Sequence, residues 1–192
     1  MQNIIITDER VILKPLETYD IDELLPYSLN EPEIWNYSFI SAAGKENLEQ
    51  YIAQAVADRE KGTSLPFIVF DKEAEVYVGS TRFYNINYTH KTLMLGYTWY
   101  GKAYRGTGIN KHCKYLMLSY AFDQMGMERV EFRADNTNET SIAAMKSIGC
   151  TFEGILRQDT MRNDGTRRDS AVLSILKDEW YDHVKANLEA KL

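Results

Sequence analysis

The chain has 192 residues and a formal net charge of −6, and its residues are 26% charged and 44% hydrophobic. These values are ordinary for a globular protein and exclude an intrinsically disordered chain. The acidic balance argues against a protein that coats nucleic acid, because such proteins are usually basic.

The first half of the chain predicts a strand, two helices and three further strands. The first strand is rich in β-branched residues and stops at Pro15. A helix begins near Asp20, with Thr18 or Asp20 as its N-cap, and Gly62 ends the second helix. The predicted ranges are 10–16 for the first strand, 45–61 for the second helix, and 66–71, 76–86 and 92–100 for the three strands.

The second half alternates helices and strands more regularly. A glycine loop opens a helix with an apolar stripe, a short strand follows at 129–133, and a helix at 138–148 is closed by Gly149. Strands at 152–161 and 169–176 are joined by the turn Asn163-Asp164-Gly165, and a charged helix ends at Leu192. This order predicts an α+β (mixed α/β) fold in one domain, residues 1–192. We expect a central, twisted, mostly antiparallel sheet of about seven strands, flanked by about four helices plus a C-terminal helix.

The remaining compositional features predict a cytoplasmic protein. Cys113 and Cys150 are too few and too far apart for a disulfide scaffold or a thiolate zinc site, so we expect two small buried residues. The first ten residues lack the basic region and apolar core of a signal peptide. No apolar run approaches the roughly 20 residues of a membrane helix. We therefore expect neither a membrane nor a nucleic acid as a partner.

The stretch 97–111 runs from a strand through glycines into a helix. Glycines allow a backbone to approach a ligand closely, and a helix N-terminus favours an anion. The pattern suits a phosphate site, but a plain tight turn would give it too. No Walker A string occurs, and Lys111 replaces the third glycine of the dinucleotide fingerprint. Positive charge in this region comes from Lys102, Arg105, Lys111 and Lys114.

Four motifs in order resemble the GCN5-related N-acetyltransferase (GNAT) family. Segment 99–110, with Arg105-Gly-Thr-Gly108, resembles its acetyl-CoA loop, and Asn138-x-x-Ser141 followed by Ile148-Gly-Cys150 resembles the helix across the cofactor cleft. The resemblance covers residues 10–180 and implies a GNAT fold whose sheet is splayed at the fourth and fifth strands. The branch it resembles is that of RimJ/RimL-type ribosomal-protein N-acetyltransferases, through Phe152-Glu-Gly-Ile-Leu-Arg157, Asp164-Gly165, Arg168-Asp169 and Glu179-Trp180.

The resemblance implies acetyl-CoA as co-substrate and assigns roles to particular residues. Backbone N–H groups of 105–110 would hold the pyrophosphate, and the strand edge at 97–100 would pair with the pantetheine arm and polarise the thioester carbonyl. Catalytic roles fall to Tyr97, Asn138 and Ser141, although Asn138 could simply cap its helix and Ser141 could be inert. The implied cofactor-binding residues are Trp99, Tyr100, Tyr104, Arg105, Gly106, Thr107, Gly108, Ile109, Asn110, Asn138 and Ser141.

The chain also departs from the family pattern. Ala103 stands where many members have Arg or Gln, and Met145 stands where many have the tyrosine that protonates the leaving thiolate. The RimL-like branch resembles this chain in offering a serine, so Ser141 is the candidate acid. The glutamate that often serves as base is missing from residues 93–97.

Three other residues are candidates for the base. Glu131 and Asp135 could act through ordered water, although each is more typical of a solvated charge, and His112 ranks below them. An alkylamine with a pKa near 10 needs such help, whereas a backbone α-amine, at about 7.7 to 8.0, needs far less.

These features predict an enzyme that moves an acetyl group to the amine of a protein or peptide N-terminus or of a small molecule, by direct transfer in a ternary complex and without a metal. We expect a monomer or a homodimer. A small-molecule enzyme acting on antibiotics or polyamines, and a catalytically silent CoA-binding sensor, remain as alternatives. Aromatic residues that could form the acceptor pocket or pack in the core are Tyr19, Tyr27, Trp35, Tyr37 and Phe39.

Overall fold

A computed structural model describes residues 4–162 and 165–192. Its centre is an eight-stranded sheet in the order β1-β2-β3-β4-β5-β6-β8-β7, antiparallel throughout except for the parallel pair β5–β6. The predicted α+β fold is confirmed, with one extra strand because Ile6 and Thr7 pair with Leu13 and Ile12. The strands are β1 (Ile6–Thr7), β2 (Val11–Pro15), β3 (Ser64–Asp71), β4 (Val76–Asn87), β5 (Thr92–Tyr100), β6 (Arg129–Asp135), β7 (Thr151–Met161) and β8 (Arg167–Leu176).

The helices also follow the predicted order. A π-helical turn at Tyr120–Gln124 extends α3, and another at Trp180–Val184 joins α5 to α6, so the C-terminal helix is not one regular α-helix. Of the predicted turn between the last two strands, Asn163 and Asp164 lie outside the described residues. The helices are α1 (Ile21–Asn30), α2 (Lys45–Glu60), α3 (Ile109–Ser119), α4 (Glu139–Ser147), α5 (Lys177–Glu179) and α6 (Lys185–Glu189).

Asp20 does not cap α1 as the sequence suggested. Its carboxylate Oδ2 instead accepts a hydrogen bond from the Glu17 N–H at 2.9 Å, and so closes the 3₁₀ turn Thr18–Asp20 that leads into the helix. A short polar side chain at this position can accept from the first N–H groups of the helix or from an N–H of the preceding turn, and Asp20 accepts from the turn.

Two hydrophobic clusters pack on opposite faces of the sheet. Phe67 belongs to one cluster and its neighbour Ile68 to the other, as alternation along a strand requires. The first cluster lies under α3 and the C-terminal helices and contains Cys113 and Cys150, both buried as predicted. The second lies under α1 and α2. Within the described part of the chain, no helix has both the length and the apolarity that crossing a membrane requires.

The sheet opens at the parallel pair of strands. β5 and β6, the predicted fourth and fifth strands, pair only where Thr92, Leu93 and Met94 face Arg129, Val130 and Glu131. Beyond that point β5 stays paired with β4 and β6 with β8, so the two facing edges diverge. This divergence creates the cleft in which the candidate site lies.

Candidate functional site

A cleft of about 650 Å³ lies between the diverging strands. Ten of the twelve residues that the sequence singled out line it, and Thr107 and Ile109 do not. Ile109 is fully buried in the core, and the Thr107 hydroxyl donates to the Tyr104 carbonyl at 2.8 Å. The ten that line it are Tyr97, Trp99, Tyr100, Tyr104, Arg105, Gly106, Gly108, Asn110, Asn138 and Ser141.

One mouth of the cleft is formed by the glycine loop and the start of α3. Gly106 and Gly108 have φ angles of +78° and +95°, a conformation that favours glycine, and a Cβ on either would meet no atom within 4 Å. Among the described residues, no acceptor is bonded to the N–H groups of 106–110. The prediction that the Arg105 N–H also holds the pyrophosphate is wrong, because this N–H donates to the Lys102 carbonyl at 3.3 Å. Five consecutive free N–H groups at a helix N-terminus form a cradle that fits a pyrophosphate.

The β5 wall of the cleft contains a bulge. Tyr97 and Thr98 stand opposite the single residue Thr81, and Tyr97 adopts a φ of +49°, which is unusual for a residue with a side chain. The Tyr97 carbonyl accepts from the Tyr51 hydroxyl at 3.4 Å, and burial raises the pKa of the Tyr97 phenol. A bulge redirects the backbone locally, so this part of the β5 edge faces the cleft differently from a regular strand.

The floor of the cleft carries a buried lysine. Lys114 is 5% exposed, and its Nζ donates to the Thr98 hydroxyl at 2.7 Å. No described carboxylate lies within ion-pairing distance of it, and burial lowers its pKa to about 8. From the sequence, Lys114 was only one of several positive charges near the glycine loop. In the structure it lies beyond the first turn of α3, and its side chain reaches Thr98 on β5.

The α4 wall carries the two polar residues that the sequence placed opposite the loop. Asn138 caps α4, since its Oδ1 accepts from the Ser141 N–H at 3.0 Å, and both residues line the cleft. The cap was one of the two predicted alternatives for Asn138. Within the described structure, the Ser141 hydroxyl has no hydrogen-bond partner and remains available to a ligand. Met145, also on this wall, offers no proton donor.

The candidate bases are already engaged. Glu131 accepts hydrogen bonds from two neighbouring arginines at 2.8 and 2.9 Å. Burial alone would raise the pKa of Asp135, but hydrogen bonds from Arg162 and Thr137 outweigh it and hold the pKa at about 2. Neither carboxylate is the solvated charge that the sequence suggested. His112 lies outside the cleft lining and bonds Asp8 at 2.8 Å.

The other end of the cleft is aromatic. Of the five aromatic residues named from the sequence, Trp35, Tyr37 and Phe39 line it. Tyr27 packs edge-on against Trp99 at a centroid distance of 6.0 Å, and Tyr19 is exposed. Sequence reasoning gave no role to Tyr51 and Tyr84, which complete the aromatic wall.

Sequence reasoning also missed two buried arginines. Arg168, 3% exposed, lines the cleft beside Phe39, with its guanidinium carbon 4.2 Å from the ring centroid. Arg82 lies behind the wall, 3.7 Å from the ring centroid of Tyr97 and 4.8 Å from that of Tyr51. Each stands at an inward position of a strand that is otherwise apolar or small on that face, and this is the pattern that could have revealed them.

Comparison with known proteins gives consistent matches. The family model described as the acetyltransferase (GNAT) domain matches residues 10–151. The uncharacterized N-acetyltransferase p20 of Bacillus licheniformis is 26% identical over 173 residues, which cover 90% of this chain and 96% of p20. A GCN5-related N-acetyltransferase from Brucella melitensis has a TM-score of 0.89 and 26% identity, with 99% of this chain and 86% of that chain covered. RimJ of Mycobacterium smegmatis, solved with CoA-disulfide, shares the fold at a TM-score of 0.83 and 18% identity, over 98% of this chain and 94% of RimJ.

Proposed function

Because the chain belongs to the GNAT acetyltransferase family and is thus an N-acetyltransferase, we propose that it transfers an acetyl group from acetyl-CoA directly to a primary amine. The observation that carries this proposal is the cleft itself. It joins an anion cradle of five free N–H groups to an open strand edge and an aromatic pocket. Members of the family use acetyl-CoA, and the cradle is what its pyrophosphate requires.

In this proposal, acetyl-CoA is bound and activated by the glycine loop, by β5 and by the α4 wall. The N–H groups of 106–110 hold the pyrophosphate, and the free edge of β5 beyond Met94 aligns the pantetheine arm. Backbone N–H groups near the Tyr97 bulge stabilise negative charge on the acyl oxygen, as preorganised donors do. As the C–N bond forms and the C–S bond breaks, the Ser141 hydroxyl gives a proton to the leaving sulfur and takes up, directly or through water, the proton that the attacking amine loses. The Asn138 amide nitrogen binds the donor from the same wall. The acetyl thioester supplies the group transferred, and no metal is needed.

The acceptor is best matched by an α-amine. The described lining contains only two carboxylates, the ion-paired Asp135 and the exposed Glu33 at the rim. A strong general base is therefore not provided, and an α-amine with a pKa of about 7.7 to 8.0 needs little help at neutral pH. The α-amine of a peptide N-terminus, or a small-molecule amine of similarly low pKa, meets this condition better than a lysine side chain does.

The charge of the lining disfavours a polyamine-type acceptor. Against Glu33 and Asp135, the described lining sets Arg105, Lys111, Lys114, Arg133 and Arg168. A polycation would be repelled by this excess of positive charge, because an acidic pocket is what binds such a substrate.

The decisive experiment follows free CoA with a thiol reagent across peptides, amino acids, polyamines and aminoglycosides, beside calorimetric titration of CoA. We expect amine-dependent release that is lost, together with CoA binding, in Gly106→Trp. Gly126→Trp is the matched control, because Gly126 also has a positive φ and open space at its Cβ but lies outside the lining. CoA binding without release for every amine would instead favour the sensor alternative, and no CoA binding would refute the cradle.

A further inference from the structure

We propose that the amine acceptor also carries a carboxylate, which the guanidinium of Arg168 binds at the aromatic end of the cleft. The proposal rests on the proposed function, since it names the class of acceptor for that same site. Arg168 is 97% buried yet lines the cleft, so its charge is presented to whatever enters there rather than to bulk water.

The guanidinium of Arg168 is held in place but only partly bonded. Its Nε donates to the Ser170 hydroxyl at 3.1 Å and its Nη1 to the Tyr37 carbonyl at 3.4 Å. A guanidinium has five N–H donors, so three remain, including both on Nη2. Within the described residues, no carboxylate lies within 4 Å of Arg168. A buried arginine with a fixed head and free donors is prepared for a planar anion, because its fork matches the two oxygens of a carboxylate.

The nearby carboxylates are committed to other arginines. Asp135 bonds Arg162 through both oxygens at 2.7 and 3.2 Å, and Asp159 pairs with Arg133 at 3.4 Å. Both raise the pKa of Arg168 from a distance, yet burial outweighs them and the pKa is lowered. A buried cation usually carries a paired anion, and none of the described residues supplies one that contacts Arg168 directly.

The position of Arg168 assigns the anion to the acceptor and not to acetyl-CoA. Arg168 is the second residue of β8 and contacts the segment that holds Tyr37 and Phe39, so it closes the aromatic end of the cleft. The phosphate cradle at 106–110 lies on the other wall, on the loop before α3. Arg82, stacked on Tyr51 and Tyr97 and also without a described carboxylate partner, adds positive charge behind the same wall.

The first test needs no turnover. Calorimetry on the CoA-saturated protein compares 3-phenylpropanoate with 3-phenylpropanamide, two probes of similar shape that differ in the carboxylate. We expect the carboxylate to bind about 10- to 100-fold more tightly, the effect of charge-assisted hydrogen bonds, and this ratio to collapse in Arg168→Gln. Arg168→Lys, which keeps the charge but loses the fork, should retain part of the ratio. Arg157→Gln, at an exposed arginine of β7, is the matched control and should keep all of it.

The second test identifies where the carboxylate resides. Values of kcat/KM, each divided by the fraction of unprotonated amine at the assay pH, are compared for phenylalanine against phenylalaninamide, and for Ser-Asp against Ser-Asn peptide amides. A preference in the first pair assigns an α-carboxylate, and one in the second pair assigns an acidic side chain on a peptide.

Equal binding of the two probes to the wild-type protein would overturn the inference, and so would a ratio unchanged in Arg168→Gln. The wild-type comparison decides the matter even if the variants fold poorly. If acceptors without a carboxylate are acetylated as well as those with one, the proposed function is supported and this inference is refuted. Absence of CoA binding would instead remove the proposed function, and the probes can then be titrated without CoA.

Discussion

Replacing Lys114 with methionine should stabilise the protein at neutral pH. The amine is 5% exposed, its hydrogen bond is to the Thr98 hydroxyl, and no described carboxylate pairs with it. Methionine has a similar unbranched stem and removes the buried charge. Thr98 would still share its hydrogen bond with the Thr81 hydroxyl at 2.8 Å, so the loss of the lysine orphans no hydroxyl.

The magnitude follows from the pKa of Lys114, which burial lowers from 10.5 to about 8. That shift corresponds to a cost of about 3 kcal/mol when the amine is charged in both states, as at pH 7. Between the two values the unfolded chain holds a proton that the folded protein has released, so wild-type stability rises with pH. By pH 9.5 about 2 kcal/mol of the cost should be recovered. The adjacent thiols, Cys113 and Cys150, have pKa values raised by burial to about 12 and stay neutral in this range.

Urea unfolding without CoA, at pH 7 and pH 9.5, measures both quantities. Lys114→Met should be more stable than wild type by up to about 3 kcal/mol at pH 7, and this advantage should shrink by about 2 kcal/mol at pH 9.5. Lys111→Met is the control on the same helix, at a half-buried position. An advantage that stays constant between the two pH values, or a variant less stable than wild type at pH 7, would refute the account of Lys114 as an uncompensated buried charge.

Three further outcomes are expected. Ser141→Ala should lower kcat by about 100-fold while the KM for acetyl-CoA stays unchanged, and steady-state kinetics with an unaltered kcat would argue against the proton-donor role. Gly79→Ala should cost more than about 3 kcal/mol in urea unfolding, because the new Cβ would lie 2.0 Å from the Trp99 carbonyl oxygen and backbone cannot yield easily. Asp135→Asn should lose about 2 kcal/mol at pH 7, since hydrogen bonds from Arg162 and Thr137 outweigh burial and keep the pKa of Asp135 near 2; this difference should shrink to less than about 0.5 kcal/mol as the pH falls from 4 to 2, and a loss that stays near 2 kcal/mol at pH 2 would contradict it.

The anion cradle could be predicted from the sequence because its determinants are local. A positive φ at Gly106 and Gly108 and the start of a helix directly after them depend on neighbours in the chain. The strands were predicted nearly to their bounds for the same reason: β5 begins and ends at the expected residues, 92 and 100.

The positions of Lys114 and Arg168 could not be predicted in the same way. A lysine on an amphipathic helix is typical of a solvated face, and only the divergence of β5 from β6 turns Lys114 toward a cleft. Arg168 packs against Phe39, a residue 129 positions earlier in the chain, and such a contact cannot be found from local sequence. The solvated role expected for Asp135 was wrong because its partner, Arg162, comes from a distant strand end.

The short parallel pairing between β5 and β6 also bears on how the molecule moves. Among the described strands, the β1–β5 half of the sheet pairs with the β6–β8 half over only three residue pairs, and the Lys91 carbonyl adds bonds from the Glu128 and Arg129 N–H groups at the same end, so the two halves are joined at one end only. An extended donor molecule lying between the diverging edges of β5 and β6 would form hydrogen bonds with both halves of the sheet, as an additional strand would. We therefore expect backbone amides on both of these edges to exchange more slowly with deuterium once CoA is bound, as two loosely coupled halves become one cooperative body.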